Sequence, residues 1–403
     1  MATVKLYYDA PAALEVEALL RTQREAGDGR WAVVLDRTLI FPGGGGQPAD
    51  AGWIDGAPVV AMGFQGEEIV HYLAEPLPAK DPLSRVKVRL DGERRRESAQ
   101  QHTGQHIVSA CLLRGGGFQT VSVHMGELTM TVESPVPSIP EEQIHAAERC
   151  ANEVICRNLP VRSHLVSGDE LERFNLRRAP AERELYRVVE IEGHDASACG
   201  GVHVSRTGEV GLVKWVGTEK IRGNCRTSWL VGDRAYRDYA RKTELLRELG
   251  AELSAPAEEI GGAVRRLKDE LAALAARAEA LELRFAASEA ERLLAGTAAG
   301  GLRVVVRRYE GAGRAFLRAL GTELAGRGGT VALLASVEEG QADLLACRSP
   351  DVRVELGEAL KPHLGMVGGK GGGREGTWQG MARETARLDE FLEAASRAMR
   401  GTG

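Results

Sequence analysis

The sequence predicts an α+β protein with several domains, and three observations support this. The chain has 403 residues, which is more than a single domain usually holds. Strand-like and helix-like segments occur in blocks rather than in regular alternation. Apolar residues make up 43% and charged residues 27% of the chain, as in globular proteins that bury sizeable cores. We expect a β-rich part, an α+β core, a helical segment and a small α/β domain, in that order.

Residues 1–90 form the predicted β-rich part. The run WAVVLDRTLIF (31–41) is rich in β-branched and aromatic residues, which are typical of strands. A long glycine-rich turn, PGGGGQPADAGWIDG (42–56), follows it. Two further strand-like runs, APVVAMGF and EEIVHYLA, are separated by glycine. Short strands divided by turns predict a small β module.

Residues 91–240 form the predicted α+β core. The run ERRRESAQQHTGQHIVSACLLRGGG (93–117) predicts a helix, because it contains no proline and the glycines at 115–117 end it. A strand-like run, VSVHMGELTMTVE (121–133), and a second helix (140–158) follow. Mixed strands to about residue 232 complete the α+β pattern.

Residues 241–296 predict a helical segment with an apolar seam. Its apolar residues recur at alternating steps of four and three, which is the spacing of a coiled coil. Ser254 and Pro256, followed by two glutamates, indicate a helix start. The seam can pair within the chain as a helical hairpin or between two chains as a dimer, and the sequence is compatible with both. The seam residues are Ile260, Val264, Leu267, Leu271, Leu274, Ala278, Leu281 and Phe285.

Residues 297–403 predict a small α/β domain. Two strand-like runs, LRVVVRRYE and GTVALLASVE, flank a helix over GRAFLRALGTELAGRGG. A glycine-rich run, HLGMVGGKGGGREGTWQG (363–380), precedes a last amphipathic helix that ends near residue 399. A stretch of small residues at 296–301 marks a linker in front of this domain.

Composition and charge narrow the function classes. The formal net charge of −5 is unlike that of non-specific nucleic-acid binders, which are usually basic. Two basic runs, RVKVRLDGERRR (85–96) and RFNLRRAPAERELYR (173–187), are either local RNA contacts or solvated charged faces. No apolar stretch approaches the ~18 residues of a membrane helix, and the start of the chain lacks the pattern of a signal peptide. Six scattered cysteines form no disulfide framework, so we expect a cytoplasmic protein with thiols free to bind metal.

Two pairs of residues together predict a metal site. His102 and His106 are four residues apart on the predicted helix, so both imidazoles face the same side. Cys199 and His203 are also four apart, around two glycines that let the chain turn tightly about an ion. Each pair alone is a weak signal, because surface histidines or a buried cysteine explain it equally well. Together they supply the nitrogen and sulfur donors that suit Zn²⁺.

The residue after the first histidine limits the chemistry of such a site. The zinc-protease motif needs a glutamate there, and this chain has Thr103. A peptidase is therefore disfavoured. A site with four protein ligands is nominally closed, so zinc would either organise the pocket or exchange a ligand for water or substrate.

Several motifs carry a resemblance to one family. HTGQHIVSACL and SACGGVHVSRTGEVG resemble the HxxxH and CxxxH signature of the editing domain of alanyl-tRNA synthetases and of the free-standing AlaX family. DRTLIFPGGGGQPADAG is similar to the glycine-rich motif of the small domain that precedes it, and KIRGNCRTSWLVG (220–232) resembles the closing segment. The coiled segment and the last domain resemble the C-terminal extension of long AlaX proteins, including a DHH-associated domain with its GGKGGG run. The resemblance covers nearly the whole chain in collinear order.

The resemblance implies a fold and a function. It implies a β-barrel-like N-terminal subdomain (1–90), a zinc-binding tRNA editing domain (91–240), a coiled segment (241–296) and a DHH-associated domain (297–403). It implies hydrolysis of the ester of a wrong amino acid on tRNA(Ala), chiefly serine and sometimes glycine. A pocket that accepts alanine cannot strongly reject either of them, so a second site is needed. A homodimer through the coiled segment or the last domain is a further expectation.

The resemblance also assigns roles to single residues. The two pairs His102 and His106, Cys199 and His203 match the zinc ligands, with the histidine pair taking part in catalysis. Thr38 matches a hydroxyl residue that senses serine, and a threonine in a plain strand is the alternative. The glycine run would let backbone N–H groups approach the substrate, unless it is a simple loop. The remaining candidates are His124, which would position water or the terminal ribose or is structural, and the pocket residues Gly43, Gly44, Gly45, Gly46, Gln47 and Asp50.

The last glycine-rich run offers a possible contact with nucleic acid. GGKGGGREGTWQG lacks the spacing and the GK[ST] end of a P-loop. Lys370 and Arg374 would contact phosphate, and Trp378 would stack on a base. The alternative is a glycine-rich turn that closes a small sheet.

Four functions compete on this sequence. They are a trans-editing deacylase, a non-catalytic zinc-containing tRNA-binding adaptor, a complete synthetase and a zinc hydrolase of another ester or amide. The intact glycine motif and Thr38 favour the deacylase. The resemblance to the editing part begins at the first strands of the chain, so we expect no aminoacylation domain before it. This expectation disfavours the synthetase. In a deacylase, positioned water would attack an ester carbonyl polarised by the metal or by N–H donors, without a strong base.

Overall fold

The chain folds into two compact units, Met1–Glu248 and Leu249–Gly403. The computed structural model describes residues 2–78, 81–295, 301–374 and 376–401. Helices and strands are both abundant, which confirms the predicted α+β class. The domain boundaries near residues 90, 240 and 296 stay predictions. The linker predicted at 296–301 lies outside the described residues except for Gly301.

Six strands of the first unit close into a barrel. The elements of this part are β1 (Val4–Lys5), α1 (Leu6–Asp9), β2 (Glu15–Glu25), β3 (Trp31–Leu35), β4 (Arg37–Thr38), β5 (Gly52–Ile54), β6 (Ala57–Gln65), β7 (Glu68–Leu73) and β8 (Arg85–Leu90). The barrel order is β2–β3–β7–β6–β5–β8, and β1 pairs in parallel with β4 beside it. The alternation of apolar and polar residues explains why these strands form a barrel with a filled interior. In β8, Val86, Val88 and Leu90 are buried while the residues between them are exposed. Aliphatic side chains fill the interior.

The α+β core of the first unit follows the barrel. Its elements are α2 (Gly92–Gly116), β9 (Ser122–Met125), β10 (Met130–Ser134), α3 (Glu141–Cys156), β11 (Val161–Ser167), β12 (Leu185–Ile191), β13 (Asp195–Ala198), β14 (Val213–Ile221) and β15 (Asn224–Val231), with short 3₁₀ turns at Leu171–Arg173 and Thr207–Val210. Helix α4 (Asp233–Leu253) follows and continues past Glu248, where the first unit ends. Strands β14–β15–β10–β9 form one antiparallel sheet, and β11–β12–β13 form a second. Helices α2 and α3 pack on the larger sheet around a common apolar core.

Helix α2 is the central element of the first unit. Asp91 caps its start by accepting the N–H of Arg94, and Gly117 ends it in the left-handed conformation with φ +72°. Every residue from Ser98 to Leu112 is buried, so the helix has no solvent face along this stretch. A helix buried on all sides can hold polar side chains only where partners satisfy them. Its histidines therefore need specific neighbours.

A buried ion pair joins α2 to the end of the glycine-rich turn. Arg95 on α2 contacts the Asp50 carboxylate at 2.5 Å, and both side chains are almost fully buried. The same carboxylate accepts the N–H of Phe41, and the guanidinium also donates to the carbonyl of Leu39. The pair therefore anchors both ends of the segment that leads into and out of the glycine run.

The second unit contains a long helix and a five-stranded sheet. Its elements are α5 (Ile260–Ala295) after a 3₁₀ turn at Ala257–Glu259, β16 (Arg303–Glu310), α6 (Gly313–Ala325), β17 (Thr330–Glu338), β18 (Gln341–Arg348), α7 (Leu356–Leu360), a 3₁₀ segment Lys361–Val367, β19 (Lys370–Arg374), β20 (Thr377–Ala382) and α8 (Leu388–Gly401). The sheet order is β16–β17–β18–β20–β19, with β16 and β17 parallel. Helix α6 and the end of α5 cover one face, and α7 and α8 cover the other.

The predicted apolar seam lies on α5. A break at Ser254, with φ +49°, separates α4 from the turn that starts α5, close to the predicted helix start. Most seam side chains are exposed, including Leu271 at 69% and Leu274 at 62%. Among the helices of the described ranges, none combines the length and the apolar character that a membrane crossing requires.

One pair of cysteines departs from the expectation that all thiols are free. Cys111 on α2 and Cys150 on α3 are joined as a disulfide, with Cα atoms 6.1 Å apart. The pairing is not visible in the sequence, because the two residues are 39 positions apart and only the packing of α2 on α3 brings them together. Cys156, Cys199 and two buried cysteines remain as thiols.

The Asp50–Arg95 ion pair yields a stability prediction. Asp50→Asn leaves a buried guanidinium uncompensated, so we expect the free energy of unfolding to fall by about 3–5 kcal/mol. Chemical denaturation followed by circular dichroism measures this. Asp28→Asn is the matched control, because Asp28 pairs with Arg30 on the exposed surface, and its midpoint should stay unchanged. Equal effects of the two substitutions would contradict the structural role of the buried pair.

Candidate metal centre

Four side chains from two distant stretches converge in the first unit. The ligand atoms of His102, His106, Cys199 and His203 all lie within 4.8 Å of one another. The Cys199 Sγ is 3.2 Å from Nε2 of His102 and 3.3 Å from Nε2 of His203. The sequence prediction that these two pairs form one cluster agrees with this geometry.

Each pair reaches the cluster through local structure. His102 and His106 lie one helical turn apart on α2, with ring centroids 5.3 Å apart. Strand β13 ends at Ala198, and the chain then turns through Cys199, Gly200 and Gly201 so that His203 faces back towards α2. The close approach requires glycine at position 201. A Cβ atom there would lie 2.0 Å from Cε1 of His102, whereas a Cβ at Gly200 would meet only the Tyr8 hydroxyl, at 3.5 Å.

Each of the three histidines uses its Nδ1 atom for a neighbour. The Nδ1 of His102 is 2.7 Å from Oε1 of Gln47, and that of His106 is 3.2 Å from the Asp195 carboxylate. The Nδ1 of His203 is 3.1 Å from the hydroxyl of Thr103. Gln47 Oε1 and the Asp195 carboxylate can only accept, so they favour the tautomer with hydrogen on Nδ1 for His102 and His106; the Thr103 hydroxyl can donate to or accept from His203. With each Nδ1 engaged, Nε2 is the atom that each ring offers to the cluster.

Asp195 is itself held in place. Arg177 lies 3.4 Å from its carboxylate and donates to the backbone carbonyl of His106. Burial would raise the pKa of Asp195, but the hydrogen bond from His106 and the charge of Arg177 lower it below its usual value. The carboxylate is therefore ionised and can accept from His106, which is the usual arrangement behind a metal-binding histidine.

The electrostatics of the cluster favour a thiolate. Burial would raise the pKa of Cys199, but the neighbouring His102 and His203 lower it well below its usual value. Burial, with a contribution from His102, lowers the pKa of His203 to about 3, so this imidazole stays neutral at pH 7. Thiolate and neutral imidazole are the forms that bind a metal ion.

The donor set fits a tetrahedral metal. Zn–N distances of about 2.0–2.1 Å and Zn–S distances of about 2.3 Å place ligand atoms roughly 3.3–3.6 Å apart around a tetrahedron. The sulfur–nitrogen distances of 3.2 and 3.3 Å come within a few tenths of an ångström of this range. Separations within the cluster extend to 4.8 Å, so the ligands would draw closer together around an ion. These residues could therefore hold a metal ion.

The glycine run delivers Gln47 to the cluster. All four glycines, Gly43 to Gly46, have positive φ angles between +60° and +136°, which other residues adopt at a cost. The loop closes through paired hydrogen bonds between Gly44 and Gln47. Oε1 of Gln47 then accepts from His102 and from the N–H of Val202. Gln47 thus orients a ligand, which is a different position from the substrate pocket predicted for it.

Thr38 lies inside the barrel region, fully buried. Its hydroxyl is 2.9 Å from Nε2 of His71 and accepts the N–H of Ile40. The Nδ1 of His71 is close to the carbonyl of Val33, so it holds the hydrogen and Nε2 accepts from Thr38. The donor of Thr38 is therefore in use, and one acceptor lone pair remains. A role in sensing serine stays a prediction within that limit.

Two other predicted pocket residues are Asp50 and His124. Asp50 is committed to Arg95 in the buried ion pair, which does not fit a residue that faces substrate. His124 is exposed on β9, next to the residues against which the glycine loop packs. The carbonyl of Gly46 accepts the N–H of Met125, so loop and strand meet there. The role of His124 stays a prediction.

The residues predicted to bind nucleic acid separate into two groups. Lys370 and Arg374 are exposed on β19, at the edge of the sheet in the second unit. Trp378 is 2% exposed and belongs to the core under α7 and α8. Its ring occupies the space where Gly371 and Gly380 lack side chains. The stacking role predicted for Trp378 is corrected on this ground, because a buried ring cannot meet a base.

Sequence reasoning missed several residues of the centre. Asp195 and Arg177 have no motif of their own, and their partners are far away in the chain. Thr103 accepts the N–H of Val204 and contacts His203. The sequence indicates only that Thr103 is incompatible with a zinc-protease motif. Arg177 belongs to the basic run 173–187, which the sequence predicts to be a solvated or RNA-binding face. The Arg177 side chain instead points inwards, to Asp195. A polar residue next to a predicted ligand on a buried helix is the one signal that could have found Thr103.

Comparisons with known proteins match two domain families along the chain. The family model described as the threonyl and alanyl tRNA synthetase second additional domain matches residues 186–226, which include Cys199 and His203. The model of the DHHA1 domain matches residues 301–401. The C-Ala domain of alanyl-tRNA synthetase from Aquifex aeolicus covers 25% of this chain and 93% of its own at 20% identity, with a TM-score of 0.23, too low to bear on the fold.

Full-length relatives extend the match along the chain. The mouse (Mus musculus) alanyl-tRNA editing protein Aarsd1 is 33% identical over 94% of this chain and 91% of its own length. The rat (Rattus norvegicus) protein of the same name is 34% identical over 89% and 86%. The alanine–tRNA ligase of Natronomonas pharaonis is 30% identical over 99% of this chain but only 44% of its own length.

The fold, the four-residue cluster and these matches define a class, namely proteins related to the editing part of alanyl-tRNA synthetase. Within this class, the sequence alignments with the mouse and rat proteins cover most of this chain and most of each relative. The chain belongs to the alanyl-tRNA editing protein family.

The required glycine at position 201 can be tested directly. Gly201→Ala places a methyl group against the His102 ring, so we expect zinc affinity to fall by about 10–100-fold. Competition with a chromophoric chelator measures the affinity. Gly200→Ala is the matched control, since its methyl group meets no atom closer than 3.5 Å and should leave zinc binding unchanged. A loss shared by both variants would point to the flexibility of the turn instead.

The buried His71 predicts a pH dependence of stability. Burial lowers the pKa of His71 to about 4, below its unfolded value of about 6.5. The unfolded chain then binds more protons between these values, so stability falls as the pH drops through this window. We expect His71 to contribute about 2 kcal/mol of destabilisation between pH 7 and pH 5. Denaturation of wild type and His71→Gln at both pH values should show a smaller loss in the variant, and equal losses would contradict the assignment.

Proposed function

We propose that this chain is an aminoacyl-tRNA deacylase that acts in trans on tRNA(Ala) carrying a wrong amino acid. Serine is the first expected cargo and glycine the second. The observation that carries the proposal is the cluster of three imidazoles and one thiol, with every Nδ1 engaged and every Nε2 directed inwards. The names of the mouse and rat relatives, alanyl-tRNA editing proteins, support tRNA(Ala) as the substrate.

Zinc is the metal that this donor set favours. His102, His106, Cys199 and His203 would hold it, since mixed imidazole and thiolate ligands are typical of Zn²⁺. When bound, it would supply a Lewis acid that polarises an ester carbonyl or a water molecule. The engaged Nδ1 atoms have a second consequence: the ligand histidines have no nitrogen free to act as a general base. Since an aminoacyl ester is already activated, a positioned water molecule can suffice.

A second candidate function is an adaptor that binds tRNA without catalysis. Four protein ligands are the composition of a structural zinc site, and this observation favours the adaptor. The two functions differ in one measurable respect. The adaptor retains the metal and binds tRNA but hydrolyses no ester.

The second unit would supply contacts to RNA and to a second copy. A cleft of about 340 Å³ between α6 and the sheet edge is lined by Arg318 and Lys370, whose charges suit a phosphate backbone, and by Arg314, which pairs with Asp343 in the same lining. The exposed seam on α5, with Leu271 and Leu274, has the spacing that would pair in a homodimer. Both contacts, and a cytoplasmic location, stay predictions.

Deacylation of charged tRNA tests the proposed function. Purified Ser-, Gly- and Ala-tRNA(Ala) are incubated with wild type, His102→Ala and His164→Ala. We expect rapid loss of the seryl ester, slower loss of the glycyl ester and sparing of the alanyl ester. His102→Ala should lower the rate by at least about 100-fold, because it removes a ligand. His164→Ala is the matched control, since His164 pairs with Glu190 away from the cluster and should keep the wild-type rate.

Each other outcome has a defined meaning. Zinc-loaded wild-type protein that binds tRNA but hydrolyses none of the three esters would support the adaptor and reject the deacylase. Equal hydrolysis of all three esters would reject selective editing. Equal loss of activity in His102→Ala and His164→Ala would remove the link between the cluster and the reaction.

A further inference from the structure

Two side chains, those of Tyr8 and Arg187, donate hydrogen bonds to the turn that carries Cys199. Arg187 on β12 donates through one terminal nitrogen to the carbonyls of Cys199 and Gly201, at 2.9 Å each. The hydroxyl of Tyr8 donates to the carbonyl between them, that of Gly200, at 2.7 Å. Three successive carbonyls of the turn are thus bound by side chains that lie 12 to 192 positions away in the chain.

The two side chains also hold each other. The guanidinium carbon of Arg187 lies 4.2 Å from the centroid of the Tyr8 ring, which is a cation–π contact. Tyr8 packs in turn on Tyr7, with ring centroids 4.6 Å apart, and Tyr7 is buried. The pair is therefore a braced unit rather than two independent surface side chains.

The direction of the three carbonyls determines what the opposite side of the turn presents. In a planar peptide, the C=O and the following N–H point in opposite directions. The N–H that follows the Gly200 carbonyl, that of Gly201, lies 3.4 Å from the Cys199 Sγ. The N–H that follows the Gly201 carbonyl, that of Val202, donates to the same Gln47 oxygen that holds His102. The bound carbonyls thus direct one N–H group towards Cys199 and another towards Gln47, the partner of His102.

Arg187 is costly at this position if it only fills space. Among the described residues it makes no ion pair with a carboxylate, and its Nε atom is buried without a hydrogen-bond partner. Burial of this cation is unfavourable, and the negative charges of Cys199 and Asp9 nearby offset the cost only in part. A neutral side chain of similar length could not donate to the two carbonyls, so these contacts are a specific property that arginine adds.

We propose that Tyr8 and Arg187 are positioning residues that clamp the turn 199–201 and so set the geometry in which Cys199 and His102 bind a metal ion. The inference rests on the proposed function for its biological purpose, but the clamp itself concerns metal binding. It assigns a role to the N-terminal LYYD segment and to an arginine of the basic run 173–187. Neither residue touches the reacting atoms in this role.

Metal release and a spectroscopic probe test the clamp. Arg187→Met removes both carbonyl contacts, and Tyr8→Phe removes one hydroxyl while keeping the ring. We expect zinc transfer to a chelator to speed up by about 10–100-fold in Arg187→Met. In Tyr8→Phe we expect about 5-fold, which corresponds to one neutral hydrogen bond. In Co²⁺-substituted protein, the thiolate charge-transfer and visible bands should shift in both variants, because they report the geometry around Cys199.

The matched control is Arg30→Met on the barrel. Arg30 also lies over a tyrosine ring, that of Tyr72, at 4.8 Å, but contacts no part of the cluster in the described residues. Its zinc release and cobalt spectrum should equal those of wild type. If Arg187→Met loses its fold, as judged by circular dichroism, Tyr8→Phe decides the question.

Two results would overturn the proposal. One is wild-type zinc release and an unchanged cobalt spectrum in Tyr8→Phe and in folded Arg187→Met. The other is a loss of deacylation in these variants with both metal readouts unchanged, which would place the two residues at the substrate and not behind the turn. Both metal readouts use no tRNA, so a wild-type protein that fails to hydrolyse any ester would reject the deacylase and leave this test intact.

Discussion

Three imidazoles and a thiol must meet at one point although 97 residues separate His102 from Cys199, and the first unit is organised by that requirement. Burying four such groups is unfavourable unless each one is hydrogen-bonded or bound to metal. Helix α2 is buried from Ser98 to Leu112, the stretch that carries two of the four cluster residues into the interior. Metal binding and folding of this unit are therefore expected to be coupled, since the ligands are brought together only in the folded chain.

The partners of the histidines come from three different parts of the first unit. Gln47 arrives through the glycine loop beside the barrel, Thr103 lies on α2 itself, and Asp195 begins β13. The centre thus ties the barrel region, the central helix and the smaller sheet to one another. This gives the glycine run a physical reason beyond contact with substrate. Four successive positive φ angles let the chain reverse and bring an amide oxygen to His102.

The predictable part of this protein is the part that local spacing encodes. Two pairs at a spacing of four, one on a helix and one around glycines, are enough to predict the four cluster residues. Strand, helix and glycine patterns likewise predict the order of the elements. The partners of the ligands are not predictable in this way, because Asp195 and Arg187 act through residues that only the fold brings near. Trp378 shows the converse error, since an aromatic residue in a glycine-rich run reads as a stacking platform but fills the space that the glycines leave.

The same hydrogen-bond geometry restricts how serine could be recognised. The Thr38 hydroxyl donates to His71 and already accepts from Ile40, so it can offer another group only one lone pair. A serine ester read at this position would have to donate its own hydroxyl, while alanine and glycine would leave that lone pair unused. Because a buried site built to hydrogen-bond a hydroxyl rejects analogues that lack it, seryl and glycyl esters cannot both owe their recognition to Thr38. Any hydrolysis of the glycyl ester must therefore depend on features other than the Thr38 hydroxyl, namely the metal cluster and a pocket shape that discriminates against the methyl group of alanine.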